Sequence, residues 1–401
     1  VQPWLNNGLM ARAREFLRRH WRRALQLREK LVLKEEAFHL VLAGVVGVIG
    51  GLVNLFFYYA VHLVQPGDPV EVAERLPDWE RVLVTTLGGL AAGLVLHWGL
   101  RLVGPQGSTN LLEVVVAGDG RLPFRTEFVK TISAIISIAT GASIGREGGI
   151  TQLAATLSSK LGQFAKWPPY RLRLLVGCGA ASGIAAAYNA PITGAIFSAL
   201  IVLGNFSMNL FAPLVFSSVI AAMVSRSFFG IAPWYVIPPF PSATLPQLPW
   251  FILLGAICGA VGASFLKMLR FGEDEFRKLN WPIYLRLMLA GFIVGAIAVA
   301  FPGVCGNGYS VTNSILHENF PPETLPLVWL VGLFFAKMLA TSATVGAGTV
   351  GGVFTPTLFV GAGAGAIFGM ALHGVGIAPG VPAGALALVG MGATLAATTR
   401  S

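Results

Sequence analysis

Apolar residues run along this 401-residue chain in long blocks with little polar interruption. The blocks cover 37–64, 82–103, 129–144, 174–204, 210–224, 250–266, 287–301, 325–345, 351–372 and 382–397. A helix needs about 20 apolar residues to cross a bilayer. No Asp, Glu, Lys or Arg lies between Arg173 and Arg226, between Arg226 and Lys267, or between Lys337 and Arg400, so each of these stretches has room for two or more crossings. Several blocks are still too short, or too interrupted by Gly and Pro, for one clean span. Such breaks persist at membrane depth only where protein covers the freed backbone groups. In transporters they line ion and substrate sites. The pattern predicts an all-α multi-spanning membrane protein of tilted and broken helices.

Composition points the same way. The chain is 55% hydrophobic and 11% charged, against roughly 25% charged in ordinary soluble domains. A net charge of +10 would suit nucleic acid, but the charges sit at block ends and not on a soluble module. The expected partner is therefore the lipid bilayer and no nucleic acid. Arg12, Arg14, Arg18, Arg19, Arg22, Arg23, Arg28 and Lys30 precede the first block. The positive-inside rule puts them, and the N-terminus, on the cytoplasmic side of a multi-pass cell-membrane protein. Asp68, Glu71, Glu74, Asp78 and Glu80 fit an outer loop; Lys160, Lys166, Arg171 and Arg173 fit an inner one, as do Arg270, Arg277, Lys278 and Arg286. The expected division is a basic N-terminal helix over 1–36, a first membrane half over 37–230 and a second over 231–401. The chain opens on Val1 and stops at Ser401 directly after an apolar run, so both ends are expected to continue in a longer protein. Cys178, Cys258 and Cys305 lack metal-ligand spacing, and the first two read as small core residues.

A weak internal repeat supports two halves. Val176-Gly177-Cys178-Gly179-Ala180-Ala181 resembles Val389-Gly390-Met391-Gly392-Ala393-Thr394, and each follows a Gly-rich break, over 145–149 and 351–356. An inverted pair of halves would bring both breaks to the bilayer midplane. Chance similarity in a Gly/Ala-rich chain is the alternative. Gly361, Gly363, Gly365 and Gly369 read as close-packing positions between helices.

Three breaks carry candidate chemistry. Gly145-Arg146-Glu147-Gly148-Gly149 sets two charges between neutral segments, which is costly in a membrane. Arg146 and Glu147 could be an ion pair at a helix start. Alternatively, the glycines free the backbone to approach a ligand, and the N–H groups and dipole of the following helix make an anion site. Glu147 would compete with the anion for those donors, acting as gate and proton carrier. Gly351-Gly352-Val353-Phe354-Thr355-Pro356 is a second helix start, with proline in the first turn and the N–H groups of Val353 and Phe354 facing a ligand. In Gly104-Pro105-Gln106-Gly107-Ser108-Thr109-Asn110, Ser108 is either a helix cap or a neutral hydroxyl donor to an anion. A full positive charge would hold the anion too tightly.

Together these segments resemble the signatures of the CLC family of chloride channels and chloride/proton exchangers. The family's Gly-Ser-Gly-Ile-Pro, Gly-Arg-Glu-Gly-Pro and Gly-x-Phe-x-Pro segments are matched in order by Gly107-Ser108-Thr109-Asn110-Leu111, by Gly145-Arg146-Glu147-Gly148-Gly149 and by Gly352-Val353-Phe354-Thr355-Pro356. Ala187-Tyr188-Asn189-Ala190-Pro191-Ile192-Thr193-Gly194 also resembles a family segment, and the resemblance runs from about Leu40 to Ser401. It implies two inverted-topology helical halves and a homodimer with one pore per subunit. It implies chloride and other halides as substrate, with no cofactor. Anion contacts are implied from the Ser108 hydroxyl and from backbone near Glu147, Gly148, Val353 and Phe354. Glu147 is implied as the gating and proton-handling group, and Lys130, with Arg146, as the source of positive pore potential.

The match has departures. Gly149 stands where proline is usual, which predicts a looser helix start. Thr109-Asn110-Leu111 replaces Gly-Ile-Pro, and the inner pore tyrosine is expected beyond Ser401. The inner glutamate of the proton-coupled exchangers is replaced by the acid-free run Phe197-Ser198-Ala199-Leu200-Ile201-Val202. The expected function is therefore a voltage- or pH-gated chloride conductance. The alternatives are a chloride/proton antiporter with an unconventional inner proton path, fluoride-selective transport or, outside transport, a membrane scaffold or receptor. No enzyme is expected: His39, His62 and His97 have no motif partner, His317 shares a loop with Glu318, and there is no phosphate-binding loop.

Overall fold

Every apolar block is largely helical in the computed structural model, which describes residues 35–104, 111–204, 206–241, 244–320, 326–376 and 380–399. In chain order the α-helices are α1 (Glu35–Val64), α2 (Pro69–Arg75), α3 (Asp78–Val103), α4 (Leu111–Val116), α5 (Phe124–Ala139), α6 (Glu147–Phe164), α7 (Pro169–Tyr188), α8 (Pro191–Phe197), α9 (Met208–Phe229), α10 (Leu248–Lys278), α11 (Ile283–Ala300), α12 (Tyr309–Leu316), α13 (Pro326–Gly346), α14 (Phe354–Gly374) and α15 (Ala383–Thr399). Among the described residues the only β-type pairing is one isolated bridge, Gly145 to Gly352. Among the described residues seven helices are long and apolar enough to cross a membrane, and the chain is a multi-pass membrane protein.

Local chemistry explains the boundaries. The block 174–204 does not stay one helix: Asn189 takes a left-handed conformation (φ 56°), and Pro191 then opens α8. Pro169 opens α7 in the same way. Helix α10 runs past the end of its apolar block as a charged and largely exposed helix. Lys278 pairs there with Glu275 one turn earlier.

Small residues set the packing. Side chains at Gly89 and Gly93 of α3 would run into Leu287 and Tyr284 of α11, and at Gly47 and Gly51 of α1 into Ser217, Ile220 and Val224 of α9. The two repeat segments lie on α7 and α15, each on the second helix after a break. Gly179 lets α7 touch Ala155 of α6, and Gly390 lets α15 touch Gly361 and Gly365 of α14. Gly363 packs on Phe334, Gly365 on Leu386 and Gly369 on Ala383, so the helix-packing expectation for these glycines holds. Helix α7 is buried along nearly its whole length. This explains why it carries Gly, Ala and Ser rather than the bulky residues of a lipid-facing span. Cys178, Cys258 and Cys305 are all buried, which extends the core reading to the third. Glu318 is more than a solvated loop residue: its carboxylate accepts the Gly384 N–H in the first turn of α15 (2.9 Å).

Candidate functional site

The two Gly-rich breaks meet. Gly145 N–H donates to Gly352 O and Gly352 N–H to Gly145 O, both at 2.8 Å. This pairing needs bare backbones on both sides. A Cβ on Gly148 would lie 2.7 Å from Gly352 N, and one on Gly351 would lie 2.8 Å from Ile144. Helices α6 and α14 start from this junction, and the cap positions Arg146 and Val353 supply no side-chain cap. First-turn N–H groups of a helix lack intrahelical partners, and the helix dipole favours negative charge at that end. Gly148 falls in the first turn of α6, and Val353 and Phe354 open α14. Gly149 has its own cause: a Cβ there would lie 2.6 Å from the fully buried Phe57 ring. The start of α6 is nonetheless regular, with Ile150 N–H donating to Arg146 O (3.1 Å).

Glu147 is 1% exposed. Its Oε1 accepts a hydrogen bond from the Tyr309 hydroxyl at 2.7 Å, while Oε2 lies against the α-carbon of Gly145, where a side chain would strike it. The ion-pair alternative fails, because Arg146 and Glu147 form no salt bridge among the described residues. Sequence neighbours at a helix start do not face one another. Arg146, 8% exposed, instead lays its guanidinium over Trp234 (4.4 Å to the ring centroid), with Tyr309 at 5.7 Å and Tyr58 at 5.8 Å. Desolvated cation–π contacts are worth about 2 kcal/mol each, which helps keep a charge in this apolar setting.

Lys130 and Gly148 come together on the wall of a cavity of about 420 Å³, with Gly149, Gln152, Thr349 and Gly351. Lys130 Nζ is 3.6 Å from Glu127, a buried carboxylate on the same wall. Its charge is therefore partly offset by a neighbouring carboxylate. The i,i+3 spacing of Glu127 and Lys130 is the signal that could have revealed this pair in the sequence. Glu147 is absent from this wall, its carboxylate being turned to Tyr309. Ser108 lies outside the described residues.

The sequence reading missed a set of hydroxyls and rings around the junction. Tyr188 OH shares a hydrogen bond with Thr355 Oγ1 (2.8 Å) in the first turn of α14, and the rings of Tyr188 and Phe197 pack on Phe354. Tyr235 and Trp234 pack on Tyr309, with centroids at 5.0 and 5.8 Å. Lys337, 0% exposed, donates to Val304 O and Gly306 O, both at 2.9 Å, just ahead of Tyr309.

Known proteins share both the sequence and this architecture. The voltage gated chloride channel family model matches residues 88–401. A ClcB-like protein of Ralstonia nicotianae is 41% identical over 374 residues, covering 90% of this chain and 86% of the relative. The voltage-gated ClC-type chloride channel ClcB of Citrobacter koseri is 33% identical over 375 residues, covering 90% and 88%. Among solved structures, a slow cyanobacterial Cl−/H+ antiporter superposes with a TM-score of 0.76 at 23% identity, covering 91% of this chain and 86% of that one. A CLC-type fluoride/proton antiporter gives 0.73 at 23%, covering 92% and 88%. With a family model spanning most of the chain, relatives above 30% identity over nine-tenths of it and the same fold in solved structures, this chain belongs to the CLC family of voltage gated chloride channels.

Proposed function

We propose that the protein moves chloride across the cell membrane through a pore at the α6–α14 junction, with Glu147 as its gate. The observation that carries this reading is the Gly145–Gly352 pairing, which directs two helix N-termini to one place beside a buried carboxylate. Anions gain from both dipoles without meeting a full charge they could not leave. Glu147, next to Gly148, competes for the same donors when ionised and withdraws when protonated or turned aside. Backbone at Gly148, Val353 and Phe354, together with the Ser108 hydroxyl, supplies anion contacts, and Lys130 and Arg146 contribute positive potential. The N-terminus is cytoplasmic, and two copies pair as a homodimer. The chloride-channel names of the ClcB relatives support the chloride assignment.

Passive, channel-like conduction is favoured over exchange by the acid-free run 197–202, where an inner proton relay would otherwise stand. The alternative, proton-coupled exchange, draws on the antiporters that share the fold and on the proton-carrying carboxylate of Glu147 itself. The test is chloride efflux from liposomes holding purified protein. Wild-type flux should respond to pH, and Glu147→Gln should conduct with that response lost. Folded protein with no flux above empty vesicles would end the reading. Uphill proton movement driven by a chloride gradient alone would replace the channel with an exchanger, and a fluoride-over-chloride flux ratio above one would move the substrate.

A further inference from the structure

We propose that Tyr309 is a latch that holds the Glu147 carboxylate away from the anion cavity; this rests on Glu147 being the gate. The hydroxyl can only donate to an ionised carboxylate, and it does so at 2.7 Å with Tyr309 7% exposed. A hydrogen bond to a charged acceptor is stronger than one to its neutral form, so the latch grips an ionised carboxylate firmly. For the carboxylate to enter the cavity lined by Gly148, this bond must break.

The latch is rigidly mounted. Gly306 and Gly308, with φ of 65° and 88°, turn the chain sharply ahead of Tyr309. Lys337 fixes that turn by donating to the carbonyls of Val304 and Gly306, and Gly306 N–H reaches Gly141 O (3.3 Å), just before the first break. Trp234 and Tyr235 hold the ring of Tyr309 from the side. Arg146, stacked on Trp234, is kept from replacing Tyr309 as the partner of Glu147. The titratable and charged groups facing Glu147 are Arg146 beside it, Tyr309 from α12, Tyr188 from α7 and Tyr235 from the segment before α10. Of these, Tyr309 is the one hydrogen-bonded to the carboxylate among the described residues.

Tyr309→Phe removes the hydroxyl and keeps the ring. Without the donor, the ionised carboxylate loses the partner that holds it outside the cavity. The midpoint of the pH response of chloride flux should therefore move up by about one unit, with the acidic plateau unchanged. A merely structural role would lower flux at every pH and leave the midpoint in place, which overturns the latch. A fluorinated tyrosine at 309 is a stronger donor and should move the midpoint down; an upward or absent shift also overturns it. Glu147→Gln separates the two readings. If Glu147→Gln keeps the wild-type pH response, the gate itself falls. If Glu147→Gln is pH-insensitive and Tyr309→Phe keeps the wild-type midpoint, the latch alone falls. The double variant should match Glu147→Gln.

Discussion

At the start of α6 the chain carries Arg146 and Glu147; at the start of α14 it carries Val353 and Phe354. Both helices begin without a side-chain cap, both lean on glycines, and the two backbones bond to each other at Gly145 and Gly352. Each is also held by a tyrosine from the other half of the chain. Tyr309 of α12 reaches back to Glu147, and Tyr188 of α7 reaches forward to Thr355. What differs is the group held. In one half the hydroxyl meets a carboxylate, which changes charge; in the other it meets a threonine, which does not. The comparison teaches a division of labour. Helix dipoles and bare backbone are common to both starts and act at every pH, whereas only the first start contains a group that can switch.

Attacking the shared part should have the largest effect. Gly148→Val places a side chain on the opposing backbone, 2.7 Å from Gly352 N and 2.8 Å from Gly351 C. Backbone cannot swing aside as a flexible side chain can, so we expect a loss of about 3 kcal/mol, read as a drop in melting temperature in detergent and as lost chloride flux. Gly255→Ala serves as control, since nothing lies within 4 Å of its added Cβ; it should hold or slightly raise stability. Equal melting temperatures for the two variants would mean that the breaks are not pressed together as described.

Next comes the mount of the switching side. Lys337→Met fills similar volume but leaves the Val304 and Gly306 carbonyls without their donor. Each unsatisfied buried carbonyl costs about 1–3 kcal/mol, offset in part because a desolvated charge is also removed. A net loss of about 2 kcal/mol is expected from thermal unfolding. A neutral result would show that the turn ahead of Tyr309 stands without Lys337.

These parts were unequally legible in the sequence. The spans could be read because lipid-facing helices need continuous apolar surface, and the breaks because Gly and Pro interrupt it. Arg146 and Glu147 stood out as charges in a neutral run. Their partners did not. Tyr309 is 162 positions from Glu147, and its neighbourhood looks like an ordinary loop with a short helix. An aromatic box around a guanidinium leaves no spacing pattern, since Tyr58, Trp234 and Tyr309 come from three separate segments. Lys337 looked like the last charge before a long apolar stretch. Its burial is set by the fold of a turn some 30 residues earlier.

The smallest effect should come from the neutral side of the comparison. Thr355→Val keeps the shape of a fully buried residue and deletes the hydroxyl that shares a bond with Tyr188. A neutral hydrogen bond contributes about 0.5–1.5 kcal/mol net, and the Tyr188 ring would keep its packing on Phe354. Stability should therefore fall by about 1 kcal/mol, and flux should change little. The pH response distinguishes the two sides. Neither Thr355 nor its bond to Tyr188 changes charge in the range where a carboxylate titrates, so the midpoint of the flux response should stay where the wild type has it, while Tyr309→Phe moves it. A midpoint shift in Thr355→Val as large as that in Tyr309→Phe would show that the two tyrosine contacts act as one network and that the switch is not confined to the first helix start.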